Sequence, residues 1–478
     1  MSNNSSPDGH RPEAEGSVFS YGIFYAARQT LARHATGGNV LIAATVLALI
    51  VANIPAVNGM YFDFWTQEVR LQIGDFNIFS HSGEPMNLLE FINDALMAIF
   101  FFTIGLEIKR EVLVGELSSF RQALLPIVAA VGGMIFPVLL FWFFARGTDY
   151  AGGAAIPMAT DIAFSLGVLA LLGKRVPLSL KIFLTTLAVV DDIGGIIVIA
   201  VFYSTHIELS MLGYAALLFV VLLLGSKLRI KSKAFYLIVG GVIWFLFLNS
   251  GIHPTIAGVL VAFCVPATPV FAPEKYIKMI RRSISHFRND ECPENLSKRT
   301  ILGKEQMNWL KQVESASDKV ISPLQDLEDS MHPVVNYFIL PLFAFANAGI
   351  LLLGMDPAST FEGISLAVIC GLVIGKFLGI FSFSWLTVKL HLAPMPEYSN
   401  WTMMAAISML GGIGFTVSLF IATLSFNAYI PEQLALLEHA KLGIVVGSVI
   451  SGLIAFIWLR LVLPKGISPD QEEPEEEC

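Results

Sequence analysis

Apolar runs long enough to cross a bilayer recur about twelve times along these 478 residues, and that recurrence sets the fold class. A spanning helix needs roughly 17–25 predominantly apolar residues. The runs lie near 38–56, 88–108, 122–145, 151–172, 178–203, 210–226, 234–249, 252–268, 333–353, 362–388, 401–427 and 440–463. With no water to satisfy an exposed backbone, each run must close its own hydrogen bonds as a helix. Only 14% of the residues are charged, against about 25% in soluble domains, and the mean hydropathy is +0.68. The chain therefore reads as an all-α polytopic membrane protein of about twelve transmembrane helices.

The basic residues orient those spans. Alternate loops carry Lys109, Arg110 and Arg121, then Lys174, Arg175 and Lys181, then Lys227, Arg229, Lys231 and Lys233. The loop near 269–332 adds ten more, and Arg11, Arg28, Arg33, Lys389, Arg460 and Lys465 fall on the same side. The opposite loops hold only Arg70 and Arg146, with Lys441 at a span edge and Lys376 within the membrane. By the positive-inside rule both termini are cytoplasmic. On the periplasmic side VRLQIGDFNIF, at 69–79, alternates apolar and polar residues around Gly-Asp and reads as a small β-hairpin. Its exposed edge could pair two copies into a homodimer.

The remaining segments are simpler. Residues 1–34 read as a disordered or amphipathic cytoplasmic N-terminus without a cleavable signal, so the first apolar run is expected to be a retained span. Much of the net charge of −8 sits in the acidic, disordered tail at 466–478. The stretch KEQMNWLKQVESASDKV in the 269–332 loop reads as a cytoplasmic surface helix rather than a separate binding domain. The four cysteines are far apart and show neither metal spacing nor a disulfide framework. Nothing in this pattern points to nucleic acid.

Two spans are interrupted. The fourth begins AGGAAIPMATDIAF, with Pro157 and the pair Thr160-Asp161, and the eleventh carries Gly411, Gly412 and Gly414 at mid-depth. Singly, such residues are ordinary packing or kink positions. Their placement is not ordinary, because they occupy the centres of spans 3–5 and 10–12, triplets that enter the membrane from opposite sides. Interrupted helices at matching positions of two inverted repeats mark a transporter binding site. Four ionisable residues then lie at membrane depth: Asp161, the adjacent Asp191 and Asp192 in the fifth span, and Lys376 in the tenth. A charge in hydrocarbon is expensive, and it is retained where ions or protons reach it. A static Lys–Asp bridge locking two helices together is the plain alternative, but it leaves two acids with no basic partner. Two carboxylates and the Thr160 hydroxyl are hard oxygen donors suited to Na⁺ or Li⁺. The same carboxylates titrate as a coupled unit. A site that holds either a cation or protons, but not both, exchanges one for the other.

The segments ATDIAFSLGVLALLGKRVPLSLKIFL, LAVVDDIGGIIVIAVFY, GLEIKREVLVGELSSFRQALLP, HPVVNYFILPLFAFANAGI and GGIGFTVSLFIA resemble the NhaA family of bacterial Na⁺/H⁺ antiporters. The likeness covers about 35–465, a single transmembrane antiporter domain, apart from much of the 269–320 loop, which is longer than usual. That family is among the transporters from which the inverted-repeat rule was generalised, so agreement with the rule is not independent support. The resemblance implies an electrogenic exchanger of the bacterial inner membrane, and not an enzyme. It would export Na⁺ or Li⁺ for more than one H⁺, with no cofactor, and would act as a homodimer. It implies Asp192 as the principal Na⁺ ligand, Asp191 as its neighbour in proton exchange, and Lys376 as the partner of Asp191. Thr160 and Asp161 fall at the helix crossing. Glu107, Arg110, Glu111, Glu328 and His332 match the family's cytoplasmic funnel, linked to pH activation. One departure is Phe377, where the family pattern has proline, beside Lys376. His253 is expected to be a satisfied interfacial histidine, although its titration range leaves a sensing role open.

Three rivals make different demands. A Na⁺-coupled solute symporter of the same architecture would need a larger polar pocket and anion-binding groups, and the crossing offers small and aliphatic residues with no arginine. An intramembrane aspartyl protease would need two opposed acids sharing a proton and a GxGD segment, whereas the order here is DDIGG. A passive channel would have to release ions that an Asp–Asp–Lys cluster would trap.

Overall fold

The computed structural model describes residues 37–464 and 466, apart from 74–75, 78, 82–83, 205–206, 229, 269–272, 290–303 and 353–361. The expected N-terminal segment at 1–34 and nearly all of the acidic tail lie outside the described residues. Among the described residues seven helices are long and apolar enough to cross a membrane. They are Leu88–Val114 (α3), Phe120–Ala145 (α4), Ala151–Arg175, Leu178–Phe202 (α6), Leu209–Lys227 (α7), Gly363–Lys389 (α14) and Pro431–Val462 (α17). Trp401–Leu410 (α15) and Phe415–Ser425 (α16) add an eighth if taken as one span bent by 42°. Gly37–Ala52 (α1), Lys233–Leu248 (α8) and Pro254–Cys264 (α9) are shorter apolar helices. The expected span near 333–353 falls on Pro323–Val334 (α12), a π-turn at Val335–Ile339 and Leu340–Asn347 (α13). Asn58–Trp65 (α2) follows α1.

Strand pairing is slight. Gln72–Ile73 (β1) pairs antiparallel with Phe76–Asn77 (β2), placing Gln72 opposite Asn77 in the 69–79 stretch. A second pair, Ser80–His81 (β3) with Glu84–Pro85 (β4), follows directly. The chain then enters α3 through a capping box: Asn87 Oδ1 accepts from Glu90 N at 2.8 Å, and Asn87 N donates to Glu90 Oε2 at 3.0 Å.

Apolar surface is divided as a bilayer requires. On α7 only Ala215, Leu222 and Gly225 are buried, while Leu209, Leu217 and Leu223 are exposed. In water such a face would mark an interface, but on a spanning helix it is the lipid contact. Inside, helices approach through small residues. A Cβ on Gly132 of α4 would lie 2.4 Å from the Gly379 carbonyl of α14. A Cβ on Gly258 of α9 would lie 2.3 Å from the Ala98 carbonyl of α3. Such contacts replace the hydrophobic drive that lipid cannot supply. They also bring α14, with Lys376, against α4 and the fourth span.

Candidate ion site

The fourth span is not a continuous helix. Ala151–Met158 is a 3₁₀ segment containing Pro157, residues 159–161 are extended, and Ile162–Leu172 (α5) resumes the helix. The two halves of the bent span, α15 and α16, are likewise separated at Gly411, Gly412 and Gly414. The interruptions meet. Asp161 N donates to Ile413 O at 2.7 Å, Thr160 Oγ1 to Gly411 O at 2.9 Å, and Ser418 Oγ to Ile156 O at 2.7 Å. Gly414 permits this approach, since a Cβ there would stand 2.9 Å from Ala159 O, while a Cβ on Gly412 would stand 2.5 Å from Leu372 O of α14.

Asp161 caps both half-helices. Its Oδ1 accepts from Phe164 N at 2.9 Å at the start of α5. Its Oδ2 accepts from Thr416 N at 3.0 Å and Thr416 Oγ1 at 2.7 Å at the start of α16. One buried carboxyl group thus satisfies orphan N–H groups at two helix N-termini, where the positive dipole ends favour its charged form.

Asp191 and Asp192 lie halfway along α6, and both are buried. Their surroundings differ. Lys376 Nζ, fully buried on α14, donates to Asp191 Oδ2 in a short ion pair and to Thr160 Oγ1 at 2.9 Å. Asp192 has no basic partner among the described residues and lines a cavity of about 350 Å³ together with Thr160, Asp161 and Thr416. Glu107 and His332 line the same cavity, which therefore joins Asp161 and Asp192 to two residues of the expected funnel. One oxygen of each acid, Asp191 Oδ1 and Asp192 Oδ1, is buried with no hydrogen-bond partner in the described structure. Buried acceptors left open in this way suit a cation or a proton.

The residues expected to form the funnel meet on α3 and α12. Arg110 Nη1 pairs with Glu328 Oε1 at 2.6 Å, Arg110 Nη2 with Glu111 Oε1 at 2.9 Å, and His332 Nε2 lies 3.5 Å from Glu328 Oε1. The hydrogen bond to Glu328 holds the His332 imidazole above the ordinary histidine pKa, against the opposing effect of burial.

His253 belongs to neither group. Its Nε2 is 3.5 Å from Asp94 Oδ1, its Nδ1 is 2.8 Å from Thr255 Oγ1, and its ring stands edge-on to Phe420 at 5.4 Å. Asp94 is the ionisable residue that the sequence reading passed over. It sits on a π-turn, Ile92–Leu96, whose Asp94 carbonyl accepts from Trp244 Nε1 at 3.0 Å. The only sequence signal was the polar pair Asn93-Asp94 inside an apolar run. Phe377 does not carry Lys376 away from the acids. A π-turn at Gly371–Gly375 precedes the lysine, and Phe377 stacks on Phe381 at 5.9 Å and meets Trp458 at 6.1 Å.

Two outcomes follow from this geometry. Lys376→Ala should leave Asp191 buried without its counter-charge and lower the thermal unfolding midpoint in detergent, since breaking a buried pair costs about 3–5 kcal/mol. A midpoint equal to that of the parent would refute the pairing. Glu328→Gln removes the anion that raises His332, so His332 should titrate at lower pH in histidine-labelled NMR spectra. An unmoved midpoint would show that Glu328 does not set it.

The model of a family described as "Na+/H+ antiporter 1" matches residues 28–459. Relatives named Na(+)/H(+) antiporter NhaA cover nearly the whole chain. That of Phocaeicola vulgatus is 54% identical over 439 residues, spanning 92% of this chain and 96% of its own length. That of Bacteroides thetaiotaomicron is 54% identical over 425 residues, spanning 89% and 94%. That of Oleidesulfovibrio alaskensis is 43% identical over 449 residues, spanning 93% and 95%. The relatives carry the name of a transporter, not of an enzyme. A match of this extent, on a chain of apolar helices built around two crossed interruptions, places it plainly: the protein is a multi-pass membrane protein and belongs to the Na⁺/H⁺ antiporter 1 family.

Proposed function

We propose that the protein exports Na⁺, and Li⁺ in its place, across the bacterial inner membrane in exchange for more than one H⁺. The carrying observation is the asymmetry of the acid pair: Asp191 is held by Lys376, whereas Asp192 has no basic partner among the described residues and lines the cavity. In this reading the deprotonated Asp192 is the principal cation ligand, with Thr160 and Asp191 as further oxygen donors. Lys376 competes with protons for Asp191, and a proton on Asp192 excludes Na⁺. Asp161 stays on its helix ends and shapes the field around the site. Glu107, Arg110, Glu111, Glu328 and His332 tune access as a cytoplasmic funnel, and His253 with Asp94 lies outside the exchange site.

The same reading takes twelve spans, with 3–5 and 10–12 as inverted repeats, both termini cytoplasmic, and a homodimer formed through the 69–79 hairpin. The cavity lining has no arginine or lysine among the described residues, and its one histidine, His332, faces Glu328, which argues against a symporter built to hold an anionic solute.

Proteoliposomes loaded with a pH-sensitive dye test the reading. Na⁺ or Li⁺ should collapse an imposed pH gradient, and Asp192→Asn should abolish that response while the protein remains inserted and folded. Normal exchange by Asp192→Asn would sink the assignment of the ligand.

Competition for one set of carboxylates also fixes the pH dependence. A protonated carboxyl is a poor cation ligand, so lowering pH should raise the apparent KM for Na⁺ and leave the rate at saturating Na⁺ nearly unchanged. A separate sensor in the funnel would instead silence transport at low pH whatever the Na⁺ concentration. Rates measured against Na⁺ at several pH values separate the two, and a KM that stays flat where activity collapses would refute competition.

A further inference from the structure

The two helices that follow α9, Pro273–Asn289 (α10) and Lys304–Val320 (α11), carry chemistry that ion exchange does not use. They pack on each other, with Ser283 Oγ donating to Gln312 Oε1 at 3.4 Å. Both ends of the pair are held at the rim of the spans. Val265 is buried just after α9, Leu324 N donates to Pro266 O at 3.2 Å, and Ser322 caps α12. The hairpin is therefore tethered within a few residues of the level at which α9 ends.

Its outer face is unlike a solvated one. α10 is strongly amphipathic and contains five basic residues and one acid. It buries Ser283 and half-buries Tyr276, Met279 and Ile280, yet leaves Ile277 48% exposed and Ile284 53% exposed. At 3.6 residues per turn these isoleucines lie two turns apart on one stripe, with Arg281 between them and Lys278 on its flank, both exposed. Isoleucines in water beside bases at the rim of a membrane domain match a helix lying in a lipid interface. A polar protein partner would leave the isoleucines unserved, and an apolar one would strand the bases.

We propose that α10 docks on the anionic headgroup surface of the adjoining leaflet, with Ile277 and Ile284 inserted and Lys278 and Arg281 on lipid phosphates. The proposal rests on the cytoplasmic placement of this loop in the proposed topology. Its partner is the phosphate-bearing anionic bilayer, which basic side chains near the surface attract over about one Debye length. The docking has a consequence for the site. α11 passes through residues 321–322 into α12, the helix of Glu328 and His332, so a docked hairpin fixes the start of the funnel helix.

The test places a nitroxide at Ile284→Cys in the full chain, with its four native cysteines changed to serine, reconstituted in vesicles. With phosphatidylglycerol present, the label should collide with oxygen and be shielded from a water-soluble nickel chelate. In pure phosphatidylcholine the preference should reverse. Lys278→Gln with Arg281→Gln should lower the docked-to-undocked ratio by about fivefold per charge removed. If that variant unfolds, raising ionic strength with choline chloride on the parent should release the label to the chelate. Accessibility that ignores lipid charge or ionic strength overturns the proposal. So does a label shielded from both reagents, which would mean that protein covers the face. The readout needs no transport, so its failure and the failure of the antiport reading remain distinct.

Discussion

The architecture depends on the carboxylate of Asp161. Breaking two helices at membrane depth exposes N–H groups and positive dipole ends with no water to receive them. Asp161 receives both sets: Phe164 N on one oxygen, and Thr416 N and Oγ1 on the other. A single lost N-cap costs about 0.5–2 kcal/mol, and here one side chain caps two helices at once. The crossing is then completed by Asp161 N on Ile413 O, Thr160 on Gly411 O and Ser418 on Ile156 O. An irregular backbone is tolerable in the membrane where its polar groups are matched within the protein or line a polar cavity, and this crossing meets both conditions.

That commitment sets the roles left for the other acids. Asp161 is occupied by helix ends and Asp191 by Lys376, so among the described residues Asp192 is the acid of the three that has neither a helix end nor a lysine on it. The three differ not in chemistry but in neighbours. Burial is similar for all of them, and the donors around each decide whether it holds helix ends, a lysine or, in the proposed cycle, a cation or proton.

Much of this was legible in the sequence because charge within an apolar run is rare enough to carry meaning. Asp161, Asp191, Asp192, Lys376 and the glycines at 411, 412 and 414 announce themselves against their surroundings. The choice of partner for Lys376 was not legible. Three acids lay at comparable depth, and only the packing of α14 on α4 brings the lysine to Asp191 and Thr160. Asp94 was passed over because Asn-Asp near a span edge looks like any interfacial polar pair. Only the fold sets it 3.5 Å from His253. The π-turn before Lys376 was hidden for a different reason. A shift of one residue in backbone hydrogen bonding leaves no residue signature beyond Gly371 and Gly375, so Phe377 in place of a proline gave no guide to the path of that helix.

Burial also explains how exchange could be coupled without a separate lock. A carboxylate in a low-dielectric site with no fixed counter-charge is costly, whereas the same group holding Na⁺ or a proton is not. In the proposed cycle Asp192 is therefore stable through a crossing only when it carries one or the other. An empty, charged site is the state that the protein's interior disfavours most, and it is also the state through which uncoupled leak would run. Lys376 extends the same logic to Asp191. In the proposed cycle its ammonium balances that acid when no proton is present and gives up the carboxylate when a cation arrives. In the proposed cycle the acid pair is thus expensive to keep in the membrane for the same reason that it couples two gradients.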